Sequence, residues 1–131
     1  MKLEWKWAWI TILLGCAVLQ AQVNITSRTF AYTNTFNTLA SSGTPTWTDN
    51  STMTGWYAGR NNGGVNTPYT AYTPGIGSAT NGGLYSFGSA GNADRALGSI
   101  ADTVGNTAYG IRLRNTSGTT LTNFTLTFTG E

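Results

Sequence analysis

Two stretches in the last quarter of this 131-residue chain alternate between apolar and polar side chains. "AYGIRLRN" sets Tyr109, Ile111 and Leu113 against Gly110, Arg112 and Arg114, and "NFTLTFTGE" sets Phe124, Leu126 and Phe128 against Thr125, Thr127 and Thr129. A period of two belongs to a strand with one buried face. With "NTSGTT" as the turn between them, the two runs predict an antiparallel hairpin. Leu121 falls on the other parity from Phe124, so either a bulge lies near Asn123 or Leu121 belongs to the turn. "RTFAYTNTF" repeats the alternation with Phe30, Tyr32 and Phe36 and predicts a further strand.

The remaining segments are shorter. "SSGTPTWTDNST" places turn formers Gly43, Pro45 and Asp49-Asn50 around Trp47, and "TGWYAGR" is an apolar burst closed by a loop at "NNGG". "TPYTAYTPGIGSATNGG" carries Tyr69 and Tyr72 into a long glycine-containing loop, "LYSF" predicts a short strand, and "RALGSIAD" fits a strand or one helical turn. Thr, Gly, Asn and Ser dominate beyond residue 22, the composition of strands joined by tight turns. No helical apolar stripe interrupts them. The expected fold class is therefore all-β, an antiparallel β-sandwich of jelly-roll type. The chain stops at Glu131 directly after an alternating run, so the module over residues 22–131 is expected to be incomplete at its C-terminus, a fragment of a longer polypeptide.

Residues 1–21 stand apart. Lys2 and Lys6 precede an apolar run from Trp7 to Leu19, and small residues follow at Ala17 and Ala21. That is the layout of a helical signal peptide cleaved after Ala21, too short for a permanent membrane span. The expected location is secreted or at the cell surface. "LLGC" offers an alternative, in which Cys16 becomes a lipidated N-terminus and anchors the protein.

Without the leader the charges are Arg28, Arg60, Arg95, Arg112 and Arg114 against Asp49, Asp94, Asp102 and Glu131, a net charge of about +1. Such a chain lacks the basic stripe that phosphate backbones require, so this segment alone is not expected to bind nucleic acid. It also lacks His, Cys and Lys, which removes the Ser-His-Asp triad, the thiolate nucleophile and the Schiff-base amine. A carboxylate pair could still serve a glycosidase, but Asp49, Asp94 and Asp102 all sit among turn residues, and no catalysis is expected. The same three acids, with Asn50, are weak candidates for a structural calcium ion, the only cofactor considered; turn formation explains them more simply. The four sequons at Asn24, Asn50, Asn115 and Asn123 follow from a chain rich in Asn and Thr.

Aromatic residues give the binding hypothesis. Trp47, Trp56, Tyr57, Tyr69 and Tyr72 fall in the loop-rich half, where exposed rings could stack on sugars. Core packing competes with that role, most strongly for Trp47 and Trp56. In "LYSFGSAGNADRALGSI", Asp94 and Arg95 are expected to form a structural corner, with Asp94 closing a turn with Asn92 and Arg95 reaching carbonyls or a carboxylate at the sheet's end.

That stretch, together with "YGIRLRNTSGTTLTNFTLTFTGE" and "FNTLASSGTPTWTDNSTMTGWYA", resembles the N-terminal modules of large secreted bacterial proteins. Such modules precede endonuclease/exonuclease/phosphatase-like domains, lamin-tail-like sandwiches, or sorting and autotransporter signals. The resemblance implies a non-catalytic accessory or adhesive module whose partners are polysaccharide or downstream domains of the same polypeptide. The alternatives are the leading part of a secreted nuclease or phosphatase whose catalytic domain lies elsewhere, and a purely structural extracellular module.

Overall fold

The computed structural model describes residues 22–101, 103 and 105–130. The leader, Cys16, Asp102 and Glu131 therefore lie outside the described residues. The described chain is all-β and sandwich-like, with no helix. Its strands are β1 (Val23–Ile25), β2 (Trp56–Asn62), β3 (Val65–Pro68), β4 (Thr73–Gly75), β5 (Gly83–Phe87), β6 (Ala96–Ile100), β7 (Asn106–Ile111) and β8 (Leu113–Asn115).

Three small sheets result, ordered β3-β2-β7, β4-β5-β6 and β1-β8. The first is antiparallel throughout, with Trp56 opposite Ile111 and Asn61 opposite both Asn66 and Asn106. "NNGG" makes its tight turn: Asn62 pairs with Val65, leaving only Gly63 and Gly64, whose φ angles of +58° and +88° suit the two-residue turn that matches strand twist. In the second sheet β5 and β6 are antiparallel, while β4 runs parallel to β5. β1 and β8 form a parallel pair. The sandwich is thus rich in antiparallel pairing, with two short parallel exceptions, and "RALGSIAD" resolves to a strand from Ala96.

The core joins the first two sheets. Ala58 of β2, Leu84 of β5 and Leu97 of β6 share one buried cluster with Leu39, Trp47, Met53 and Tyr72. Each buried leucine contributes about 2 kcal/mol through the apolar surface it removes from water. Trp47 meets Tyr72 edge-on, with ring centroids 6.1 Å apart. Four of these core residues, Leu39, Trp47, Met53 and Tyr72, come from irregular chain rather than strands.

Two sequence expectations are corrected. "RTFAYTNTF" forms no strand. Phe36 takes φ +60°, its N–H donates to Asn34 Oδ1 at 2.8 Å, and the Leu39 N–H returns to the Phe36 carbonyl at 2.9 Å. A side-chain acceptor has replaced the ladder partner, as asparagine readily does. Leu39 then enters the core, while Phe36 lies edge-on against Trp56 at 4.9 Å.

The C-terminal hairpin is absent as well. At Arg112 the chain passes from β7 to β8; its N–H donates to the Gly55 carbonyl and its own carbonyl accepts the Val23 N–H. β8 then pairs with β1, Val23 opposite Leu113, and residues 120–130 carry no strand. Phe124, Leu126 and Phe128 are 78 %, 72 % and 81 % exposed. Alternation shows that a segment has one apolar face; it does not say which strand it joins.

Candidate functional site

Four of the five candidate aromatics turn inward. Trp47 is buried, and its indole N–H donates to Asp49 Oδ1 at 2.8 Å. Tyr72 is buried too, its hydroxyl accepting the Ala40 N–H at 2.9 Å. Tyr69 is half-buried, with its hydroxyl 2.6 Å from Thr107 Oγ1 across the sheet. Trp56, half-buried, packs on the core and donates to the Tyr32 hydroxyl at 3.0 Å. These rings fill the sandwich and find polar partners for their tips, which is how large aromatics are usually satisfied. Trp47 and Tyr72 are buried and Trp56 and Tyr69 half-buried, so the four present no common platform to solvent.

Tyr57 differs because neighbouring residues on a strand face opposite ways. Ala58 is buried in the core, so Tyr57, Gly59 and Asn61 belong to the outer face of β2. Directly opposed residues share a face, which adds Asn66 and Pro68 from β3 and Asn106, Ala108 and Gly110 from β7. The outcome is a shallow lane. Its floor is Gly59, Ala108 and Gly110; the Tyr57 ring closes one end and the asparagines close the other.

The Arg112 guanidinium lies 4.5 Å from the centre of the Tyr57 ring, within cation–π range. At the far end, Asn61 donates through its amide nitrogen to Asn66 Oδ1 at 2.7 Å. Asn61 Oδ1 also accepts the Gly64 N–H at 3.2 Å, which holds its amide in register with the turn. About 13 Å of strand separates Tyr57 from Asn61, from the strand rise of roughly 3.3 Å per residue. An arginine, a phenol and several amides thus border a floor without bulky side chains.

The acids have local partners. Asp49 Oδ1 takes both the Trp47 indole and the Ala58 N–H, the latter at 2.9 Å, fastening the 46–50 turn to β2. Asn50 repeats the device through its side chain, accepting the Gly55 N–H at 2.8 Å. Asp94 is exposed, and its N–H donates to Asn92 Oδ1 at 3.0 Å. Among the described residues no three His, Cys, Asp or Glu side chains come together.

Arg95, by contrast, is only 2 % exposed. Its Nε donates to Ser86 Oγ at 2.9 Å, Nη1 to the Ser89 carbonyl at 3.0 Å, and Nη2 to the Ser86 carbonyl and, at 3.4 Å, to that of Gly75. Its backbone N–H reaches Asn37 Oδ1 at 3.2 Å. The side chain is the hub at one end of the β4-β5-β6 sheet.

The chain matches no protein-family model, no curated protein and no solved structure. Its function must be read from these two places, the outer lane and the Arg95 corner. Sequence reasoning found Tyr57 and Arg95 but missed Gly59, Asn61, Asn66, Asn106 and Arg112. The signal was present in "WYAGRNN" and "NTAYGIR", which alternate large with small residues, but it becomes a lane only once β2 and β7 are known to pair.

Among the described residues no helix is long and apolar enough to cross a membrane.

Proposed function

We propose that the chain is a non-catalytic binding module, of accessory or adhesive type, that takes carbohydrate along the outer lane of the β3-β2-β7 sheet. The observation that carries this reading is the Tyr57–Arg112 pair facing the Asn61–Asn66 amides across a glycine- and alanine-lined floor. A sugar chain presents flat C–H surfaces flanked by hydroxyls. Small floor residues let such a chain approach the backbone closely, the Tyr57 ring offers apolar contact, and guanidinium and amide groups exchange hydrogen bonds with hydroxyls.

The use of the two described acids supports a non-catalytic role. Asp49 is committed to two N–H donors and Asp94 sits on an exposed turn. The signal-like leader supports export, where polysaccharide is met.

The test is binding of the purified chain to a glycan array, repeated with Tyr57→Ala and Asn61→Ala. Both substitutions should weaken retained glycans by about tenfold or more while leaving the melting temperature within a few degrees, since each removes outer-face contacts worth about 1–2 kcal/mol. A flat array, or signals indifferent to both substitutions, would refute the proposal.

A further inference from the structure

The Arg95 guanidinium is permanently charged, almost wholly buried, and surrounded by neutral acceptors. Five N–H groups belong to a guanidinium. Four point to oxygens of Ser86, Ser89 and Gly75, and the Gly75 contact is long; among the described residues the second hydrogen on Nη1 has no acceptor. The adjacent carboxylate offers no compensation, because Asp94 is exposed. A cation taken out of water without an anion costs several kcal/mol, only partly offset by carbonyl dipoles.

This same side chain lines a cavity of about 430 Å³ beside β4. The volume lies in the range of small-ligand sites. Around Arg95 the cavity is lined by the polar residues Ser41, Thr73, Ser78 and Asn81 and the apolar Pro74 and Ile76, with no Asp or Glu among the described residues of its wall. The Tyr85 hydroxyl donates to the Asn81 carbonyl at 2.7 Å, which ties the loop after β4 to β5.

We infer that this cavity is a carboxylate-binding site for an acidic sugar unit of the uronate class. The carboxylate supplies the missing negative charge and accepts from Nη1, a charge-assisted hydrogen bond in a region of low dielectric. The sugar hydroxyls exchange hydrogen bonds with Ser41, Thr73, Ser78 and Asn81. The hydroxyl- and amide-bearing residues of this wall suit the hydroxyls of a sugar, and Pro74 and Ile76 suit its C–H face. The site is separate from the outer lane and goes beyond the function proposed for that lane.

The experiment titrates the full chain with galacturonate and with galactose, which lacks the carboxylate, following backbone amide resonances. Galacturonate should shift residues 75–79 and 88–90, bind at least about tenfold more tightly than galactose, and weaken as salt is added. Arg95 variants are expected to disturb folding, so the decisive variant is Ser78→Trp, at an exposed loop position lining the cavity. It should keep the wild-type melting temperature and lose galacturonate, while Tyr57→Ala retains it. Equal binding of the two sugars, no shifts at those residues, or a Ser78→Trp chain that binds like the wild type would overturn the inference.

Discussion

Replacing Arg95 with Met keeps most of the aliphatic volume and deletes every guanidinium donor, so it isolates what the hydrogen bonds contribute. The substitution strips the donors from Ser86 Oγ, the Ser86 carbonyl and the Ser89 carbonyl, and removes the long contact to Gly75. Ser86 has no exposed surface, so water cannot replace the lost donors there. Each buried acceptor left without a donor costs about 1–3 kcal/mol. Against this stands the desolvation of a charge that the Met chain no longer suffers. The net destabilisation should be about 3 kcal/mol, measured from urea unfolding, with a fall in melting temperature of roughly 10–20 °C for a domain of this size. Arg95→Lys should rescue little, because one ammonium cannot span acceptors arranged around a planar fork. Ser86→Ala removes the other half of the central contact, and the double variant should show a coupling of about 1 kcal/mol or more. An Arg95→Met chain within about 0.5 kcal/mol of wild type, with strictly additive behaviour toward Ser86→Ala, would refute the corner as a structural hub.

Two other substitutions probe separate features. Gly88→Ala should destabilise by about 2 kcal/mol or more in urea unfolding: at φ +151° the added methyl group would sit 2.6 Å from Arg95 Nη1 and against the Asp94 carbonyl. Leu126→Lys should leave the melting temperature within a few degrees but reduce light scattering at high concentration, because it puts a charge into the exposed, charge-free "NFTLTFT" segment, whose alternation favours pairing with copies of itself.

Sequence alone located the strands with the plainest local pattern: "LYSF" falls in β5, and "AYGIRLRN" covers most of β7 and all of β8. It left β6 as a strand or one helical turn, and it read a loop at "NNGG" without the strand β3 that follows it. The misread segments depended on distant events. "NFTLTFTGE" alternates as cleanly as any strand, yet the edge of β8 pairs with β1, about ninety residues earlier in the chain. "RTFAYTNTF" carries the right apolar period, but Asn34 captures the backbone N–H that a neighbouring strand would need. The aromatics divided for a similar reason. Ring size argued for Trp47 in the core, and it is there; Tyr57 and Trp56 are adjacent in sequence, and only the face assignment of β2 separates the outer residue from the inner one.

Loops that sequence patterns cannot resolve supply Leu39, Trp47 and Met53 to the core, so something other than strand pairing must hold residues 26–55 in place. That work falls to polar groups, all of them uncharged except the Asp49 carboxylate. Asn37 receives the Arg95 N–H, the Ala40 carbonyl receives the Ser86 hydroxyl at 3.0 Å, the Ala40 N–H reaches Tyr72, and Asp49 and Asn50 fasten the turn that follows Trp47. Each bond contributes only about 1 kcal/mol net, but each satisfies a buried group that would otherwise cost more. This explains how a chain with so few charges and no described disulfide can order a long irregular segment. It also connects the segment to the cavity through Arg95: its backbone N–H donates to Asn37, its Nε donates to the Ser86 hydroxyl that in turn donates to the Ala40 carbonyl, and the same guanidinium forms part of the cavity wall. An anion bound at the guanidinium would therefore couple to the order of the 37–40 segment by way of Arg95 Nε and the Ser86 hydroxyl that holds the Ala40 carbonyl.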